Sequence, residues 1–458
     1  VAMFGRDDDD DDEDEDDIEY VLFQGATNGK QPDLEENRKL AAAGMMPAKE
    51  LVSDALSRRC EMFKLQIDGP KAVASFFVDG SKRPGPRFPP PRANAVIQVL
   101  KLLAGLDITV RNKPQRGGLK AEYRELPFEL TVKTTPVKGP GGKPAESLTV
   151  TFRNTKTKRA TPEDIGIPEV IQSRLRNLAA NHEGGVALVV GPPESGLTTT
   201  ALCSVRCVDS YLYQCYLVGD LGTREILNVP VFKEEEGHPI EQTIERIQRN
   251  EGNLIFYSEF TDSERVKSIV QSSMEVTMMS EMHAKDAADG ILKFVELVGE
   301  PNLVAEQLKC VISHKLIRKL CPRCREAFRP SPRLLLQMGL PENTATLYRK
   351  APPPEADERG EEPEPCRGCD DVGFRARTAI FEMIDVTEGM KAVIASGGDV
   401  AAIRAQAKED KQLTFQKDAL RLVADGTTGL EELQRVFSGG KKKRPMKKKR
   451  PMKKRPRP

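Results

Sequence analysis

Residues 185–212 read GVALVVGPPESGLTTTALCSVRCVDSYL, and the fold turns on how they are read. Val186–Val190 is a short unbroken apolar run, as expected of a strand buried on both faces. Gly191 breaks it, and an apolar-periodic stretch follows from Thr198. Strand, glycine-bounded loop and helix, in that order, are the setting of a phosphate-binding loop, in which helix N-terminal N–H groups face an anion. The pattern wants Gly, four residues, Gly, Lys, then Ser or Thr. Gly191, Gly196 and Thr198 fall in place, but Leu197 stands where the lysine belongs. The loop keeps its shape and loses its charge.

In a working loop of this kind the backbone cradles the phosphates and a lysine ammonium neutralises the β and γ oxygens. Leu197 offers neither charge nor hydrogen bond, and Glu194 adds a carboxylate. A like charge about 4 Å from a phosphate costs about 1 kcal/mol in water and several at an effective dielectric near 20. Two readings stay open. The loop is a packing turn between strand and helix, or it is a weak nucleotide site. In the second, Gly191, Ser195, Gly196, Thr198 and Thr199 surround the phosphates and Thr198 ligates Mg²⁺.

Around this stretch, residues 159–320 alternate strand and helix as a parallel α/β domain does. Gln214–Val218, Leu254–Tyr257 and Val276–Met279 read as strands ending near Asp220, Ser258-Glu259 and Glu281-Met282-His283. Asp262–Met274 reads as a helix, with Val266, Ile269, Val270 and Met274 on one face, and Leu303–Leu320 as a helical block. Residues 46–158 read as a small α+β domain. Lys71–Gly80 is a strand closing on a turn, Asn94–Leu103 has a helical apolar face, and Phe128–Val132 and Leu148–Phe152 alternate as half-buried strands. Residues 376–438 read as a C-terminal helical subdomain.

The net charge of +1 conceals two opposite ends. Residues 7–17 are all Asp or Glu, and residues 1–45 are expected to be an unfolded acidic tail and lead-in. Residues 439–458 form a basic tail, with twelve Lys or Arg among the 18 residues of Lys441–Pro458, proline breaks and no aromatics. Such a tail is either merely solvated or contacts a polyanion by counterion release, without reading bases. No apolar run is long enough for a membrane span, and the N-terminus does not open as a basic–apolar–small leader.

Nine cysteines include two Cys-x-x-Cys pairs, Cys321/Cys324 and Cys366/Cys369, within residues 321–375. Four thiolates on two tight turns suit tetrahedral, structural Zn²⁺. Arg323, Arg325 and Arg367 are expected to lower their pKa values, while Cys60, Cys203, Cys207, Cys215 and Cys310 read as core filler. The cysteine usage suits a reducing compartment.

Several blocks together resemble the ATPases of type II secretion and type IV pilus assembly, the GspE/PilB type. They are Leu103–Ile108 with Pro114-Gln115, LIRKLCPRC at 316–324, and CRGCDDVGFRARTAIFEMI at 366–384, in the family's order over about residues 50–438. The resemblance implies a RecA-like domain of the P-loop NTPase class preceded by a PAS-like domain. It also implies a zinc-binding tetracysteine element, a hexameric ring of like or unlike subunits, ATP with Mg²⁺, a bacterial cytoplasmic location at the inner membrane, and a membrane-platform partner. The family's first, platform-docking domain has no counterpart in residues 1–45.

By the same resemblance Glu259 corresponds to the glutamate that polarises the attacking water, Asp262 to the aspartate closing that motif, and Asp220 to one of two acidic-box carboxylates. Arg249 matches an arginine preceding the second acidic motif, and His283 the histidine of the His box. Val276 stands where a further histidine is usual, and Thr261 where an arginine is. Glu259 reads equally as an exposed carboxylate without a task, and His283 as a structural histidine. With every motif depleted, the expectation is a motor fold with impaired ATP hydrolysis, acting as a structural or regulatory subunit. The alternatives are an active motor with a substitute cation, and a polyanion-binding scaffold.

Overall fold

A computed structural model of the chain describes residues 19–68, 71–138, 144–156, 161–182, 184–221, 224–235, 237–258, 260–352 and 364–437. Asp7–Asp17, Glu259 and the tail from residue 439 lie outside the described residues. The chain divides into two compact units, Val1–Lys158 and Arg159–Pro458.

The first unit contains, in chain order, β1 (Leu22–Ala26), α1 (Arg38–Ser57), β2 (Met62–Asp68), β3 (Lys71–Val78), β4 (Ser81–Phe88), α2 (Pro90–Leu103), β5 (Gln115–Tyr123), β6 (Leu126–Lys138) and β7 (Pro144–Asn154). The strands form one antiparallel sheet in the order β1-β5-β6-β7-β2-β3-β4. Period-2 alternation turns Phe63, Leu65, Phe76, Leu119, Leu130, Val132, Leu148 and Val150 to one face, where α1 and α2 cover them. Pro84 and Pro86 lack the N–H a central strand must donate, and β4 lies at the sheet's edge. Gly44 is where the helices cross, since a Cβ there would stand 2.6 Å from the Ala95 carbonyl oxygen. Residues 22–45, expected to be an unfolded lead-in, instead supply β1 and the first turns of α1, because Leu40, Met45 and Val21 have this core to join. Inside the unit Lys101 pairs with Glu146 at 2.7 Å, both fully enclosed, and Gln98 and the Val110 carbonyl complete the network.

The second unit opens with α3 (Pro162–Ile165), α4 (Glu169–Ala180), β8 (Gly185–Gly191), α5 (Leu197–Val205) and β9 (Gln214–Val218). It continues through α6 (Ile240–Arg249), β10 (Gly252–Tyr257), α7 (Ser263–Gln271), β11 (Thr277–His283), α8 (Ala287–Val298), α9 (Pro301–Gln307) and β12 (Leu308–Leu320). Then come β13 (Glu326–Phe328), α10 (Pro332–Met338), β14 (Leu347–Arg349), β15 (Phe374–Asp385) and the helices α11 (Glu388–Ala395), α12 (Val400–Glu409), α13 (Phe415–Ala424) and α14 (Leu430–Phe437). The main sheet runs β15-β12-β8-β11-β10-β9, parallel except for β15. Val186, Leu188 and Val190 of β8 enter one core, while Ala187 and Val189 enter the other, beneath α4 and α5. The apolar run of β8 therefore reflects burial on both faces. The chain leaves β8 for the edge strand β9, returns through β10 and β11, and then passes to β12 on the other side. The loop after β8 thus lies at a topological switch point.

Two expected helical stretches are strands. Of Leu303–Leu320 only the start is helical, in α9, and β12 takes the rest. Cys310, Val311 and Ile312 are wholly buried between β8 and β15, and a strand buried on both faces gives an apolar run that period alone does not separate from a helix. Residues 376–385 likewise belong to β15, which adds the antiparallel edge before the C-terminal helices begin. Those helices are held electrostatically as well as by packing. Arg318 of β12 donates to the enclosed Glu432 of α14 from Nε at 2.9 Å and Nη2 at 2.6 Å.

Candidate functional site

Gly191 ends β8, and the chain turns through Pro192, Pro193, Glu194 and Ser195 to Gly196, which caps α5 in the left-handed conformation at φ 86°. Glu194 also has positive φ, 61°, a conformation that costs a residue with a Cβ about 1 kcal/mol. The backbone at position 194 therefore favours glycine, and the carboxylate is carried there against it. Ser195 turns inward, its N–H and hydroxyl both donating to the Pro192 carbonyl at 3.3 and 2.6 Å. Gly191 is required by close approach, because a Cβ would meet His314 Cε1 at 2.6 Å and Ser195 Oγ at 2.9 Å.

Leu197 does not project into the loop's mouth. It is 7% exposed and packs in the core with Val189, Ala201 and Ile171. Thr198 stands next to it on the first turn of α5, and its hydroxyl donates to Glu281 Oε1 at 2.9 Å. Thr199 lies beside them, half-buried. Glu281 reaches Thr198 because β11 extends to His283, four residues beyond its expected end. Met279 and Glu281 share one face of that strand, the α5 side. Continued to residue 281, that alternation would have shown a carboxylate turning inward. His283, next in the same alternation, is exposed at the strand end, with Nδ1 3.3 Å from the Gly191 carbonyl. Its own carbonyl accepts from Lys293 at 3.2 Å.

A second residue that the motifs do not mark is His314 of β12. It is fully enclosed below the loop, with Nε2 3.1 Å from the Ser195 carbonyl. Burial pushes its pKa down to about 4, so at neutral pH it is uncharged and Nε2 carries the proton it donates. The helical reading of Leu303–Leu320 hid it, since only as a strand does β12 lie beside β8 and bring His314 to Gly191.

The remaining candidates are spread along the sheet. Asp220 follows the edge strand β9, three interstrand spacings or about 14 Å from β8. Arg249 ends α6 just before β10, at the end of the sheet opposite the loop, and pairs with Glu245 at 3.3 Å. From there to the loop is the length of a strand, about 20 Å, so Arg249 does not reach an anion on its own chain's loop. Asp262 is a helix cap, its Oδ1 accepting from Arg265 N at 2.7 Å.

The four cysteines converge. β12 and β15 are antiparallel neighbours, so the turn after one and the turn before the other meet. The sulfurs lie within 4.8 Å of one another, with Cys321–Cys366 at 4.0 Å and Cys324–Cys369 at 3.5 Å. Four thiolates about 2.3 Å from one tetrahedral ion stand about 3.8 Å apart, so the cluster fits Zn²⁺. The Gly368 N–H brings the Cys366 thiol down to about 7, while burial pushes Cys324 and Cys369 up. Two of the three expected arginines are engaged elsewhere, Arg325 with the Gly426 carbonyl and the Tyr348 ring, Arg367 with Glu364. Cys60, Cys203, Cys207, Cys215 and Cys310 are all buried, and burial raises Cys60, Cys207 and Cys215 to about 12.

Residues 43–435 match the model of the type II/IV secretion system protein family. The chain is 25% identical over 364 residues to the type IV pilus assembly ATPase PilB of Thermus thermophilus, which covers 78% of this chain and 39% of that one. It is 25% identical over 422 residues to the PilB of Myxococcus xanthus, covering 89% and 70% respectively. Among solved structures, the Legionella pneumophila ATPase DotB superposes with a TM-score of 0.50 at 14% identity, over 85% of this chain and 94% of that one, a likeness of fold. The chain thus spans well under half of the Thermus relative and about two thirds of the Myxococcus one.

Proposed function

The chain belongs to the type II/IV secretion system protein family, and from that we propose that it is a motor-fold subunit of a secretion or pilus system that hydrolyses ATP weakly or not at all. One observation carries the reading: the position that should bring a cation to the phosphates is a leucine in the core, and the hydroxyl that should face Mg²⁺ is donated to Glu281. Together with Glu194, two carboxylates border a loop whose chemistry calls for positive charge. The residues present do not fit ATP–Mg²⁺. The role is then structural or regulatory, in a hexameric ring of its own or with an active homologue.

Zn²⁺ suits the tetracysteine cluster, held by Cys321, Cys324, Cys366 and Cys369 with no open position, so it supplies rigidity and no reaction. The antiparallel first unit fills the place of a PAS-like domain. A cytoplasmic position against an inner-membrane platform accords with the family, and no helix among the described residues is long and apolar enough to cross a membrane.

Lys293 favours a second reading, an active motor, because its ammonium, 3.3 Å from Asp289, donates to the His283 carbonyl at the end of β11, the strand whose His283 is paired with Gly191. Mg-ATP binding and turnover by the unaltered chain, by Leu197→Lys and by Glu259→Gln separate the two. No turnover in the unaltered chain, with binding restored by Leu197→Lys, is the expected result. Turnover that Glu259→Gln abolishes would overturn the proposal and make Lys293→Ala the next variant.

A further inference from the structure

Among the described residues of the first unit, one face of the sheet lies under α1 and α2 and the other carries no helix. Strand register fixes what the second face carries. Arg116, Lys133, Thr149 and Lys64 stand side by side across β5, β6, β7 and β2, and Lys120, Lys82 and Arg87 share their face. Arg116 and Lys133 are direct cross-strand neighbours, an arrangement of like charges that destabilises a sheet unless something answers it. Of the acids on this face, Glu129 is taken by Arg153 and Glu122 by Gln24. Small side chains lie between the cations, Thr131, Thr149 and Ser75 among them, so the surface is low enough for an extended chain to lie on it.

We propose that this face is the docking ground of the acidic segment Asp7–Asp17 of the same chain. The charges are complementary, and the segment is attached at a corner of the same sheet. Glu19, two residues after the acidic run, already meets Arg124 at 3.9 Å beside the β5–β6 turn, and β1 follows at that edge of the sheet. The tether stands at the Tyr123 end of β5, about 13 Å along the strands from Lys120 and about 26 Å from the row of Arg116, Lys133 and Lys64. Eleven extended residues span about 33 Å, enough to run diagonally past Lys120 to Lys133 and Lys64. The basic tail carries more charge and is the competing partner for the acidic run, whereas the run itself is tethered at the edge of the face. A short tether keeps the local concentration of the segment high. The cations of the face are held in place by strand pairing, so little order has to be imposed on that partner.

The test is lysine acetylation of the full chain followed by mass spectrometry, at low protein concentration. It compares the unaltered protein with a variant whose acids at 7–17 are all replaced by their amides, and with one lacking 439–458. Lys120, Lys133 and Lys64 should react at least about threefold more slowly in the unaltered chain at about 50 mM salt, and equally in both near 1 M, where the screening length falls to about 3 Å. Lys39, on α1, serves as the unprotected control. Protection retained without 439–458 supports the proposal. Equal rates in all proteins overturn it. So does protection that survives the amide replacement, which would mean another occupant such as a second copy. Protection that grows with protein concentration, or vanishes with the tail, overturns it as well.

Discussion

Replacing Glu281 by Gln tests the electrostatics of the loop at the point where the structure departs furthest from the motif. The Glu281 carboxylate lies 2.9 Å from the Thr198 hydroxyl, on the first turn of α5. An anion seated on that turn's N–H groups would be about 6 Å from it, where Coulomb's law at an effective dielectric near 20 gives about 3 kcal/mol per pair of unit charges. That is about a hundredfold in affinity. Glu281 is 8% exposed, so salt screens the effect less than it would on the surface. Glutamine keeps the shape and still accepts from Thr198, so the cost to stability should stay near or below about 1 kcal/mol. Calorimetric titration with inorganic tripolyphosphate and with Mg-ATP should show the gain in Glu281→Gln, and a further gain when Leu197→Lys is added. An affinity within about twofold of the unaltered chain, in a variant that melts normally, would refute the argument and leave Leu197 alone responsible for closing the site.

Four other outcomes follow from the same contacts. Gly191→Ala should disrupt the loop, since its Cβ would overlap His314, and proteolysis at 192–196 should accelerate while the first unit stays intact. His314 has a folded pKa near 4, below its unfolded value of 6.5, so its contribution is complete above pH 6.5 and is lost as pH falls towards and through 4. Urea titrations should show about 3 kcal/mol of that dependence disappearing in His314→Gln. Glu432→Ala strands Arg318 and should cost about 3–5 kcal/mol, read as a lower urea midpoint. Cys366→Ser should lower bound zinc well below one equivalent per chain, measured by release to a colorimetric chelator, with the melting temperature falling in parallel.

How far the sequence announced all this depended on range. The strand–loop–helix at 185–205 is local, with apolar run, glycine and period 3.6 in succession, and both β8 and α5 stand where those signals put them. The cysteine pairs needed only their own spacing and a strand pairing to bring them together. Glu281 and His314 were invisible for a different reason. Each acts through a neighbouring strand, and nothing near either residue says which strand will lie beside β8. The lead-in at 22–45 departs from the sequence expectation for the same kind of reason. Its apolar residues are too few to hold a core alone, but β5 and the helix pair of the first unit supply the rest. Leu197 looked like a simple loss of charge, and burial shows it to be a gain of core as well.

β12 is a 13-residue strand of which only the first half is paired with β8. Among the described residues, the stretch from Lys315 onward has only β15 as a strand partner. β15 returns only after the long excursion that the four cysteines close at its base. Opening that clasp frees a loop of some fifty residues, so the return of β15 becomes entropically harder each time it detaches. What it leaves bare is a long row of unpaired backbone donors and acceptors, the template on which a second chain adds a strand. Lys315, Arg318 and Lys319 on that stretch are the charges that would discourage such pairing. If the cysteines hold the Zn²⁺ proposed above, its removal by a chelator should therefore appear first as self-association through one sheet edge, before the fold itself is lost.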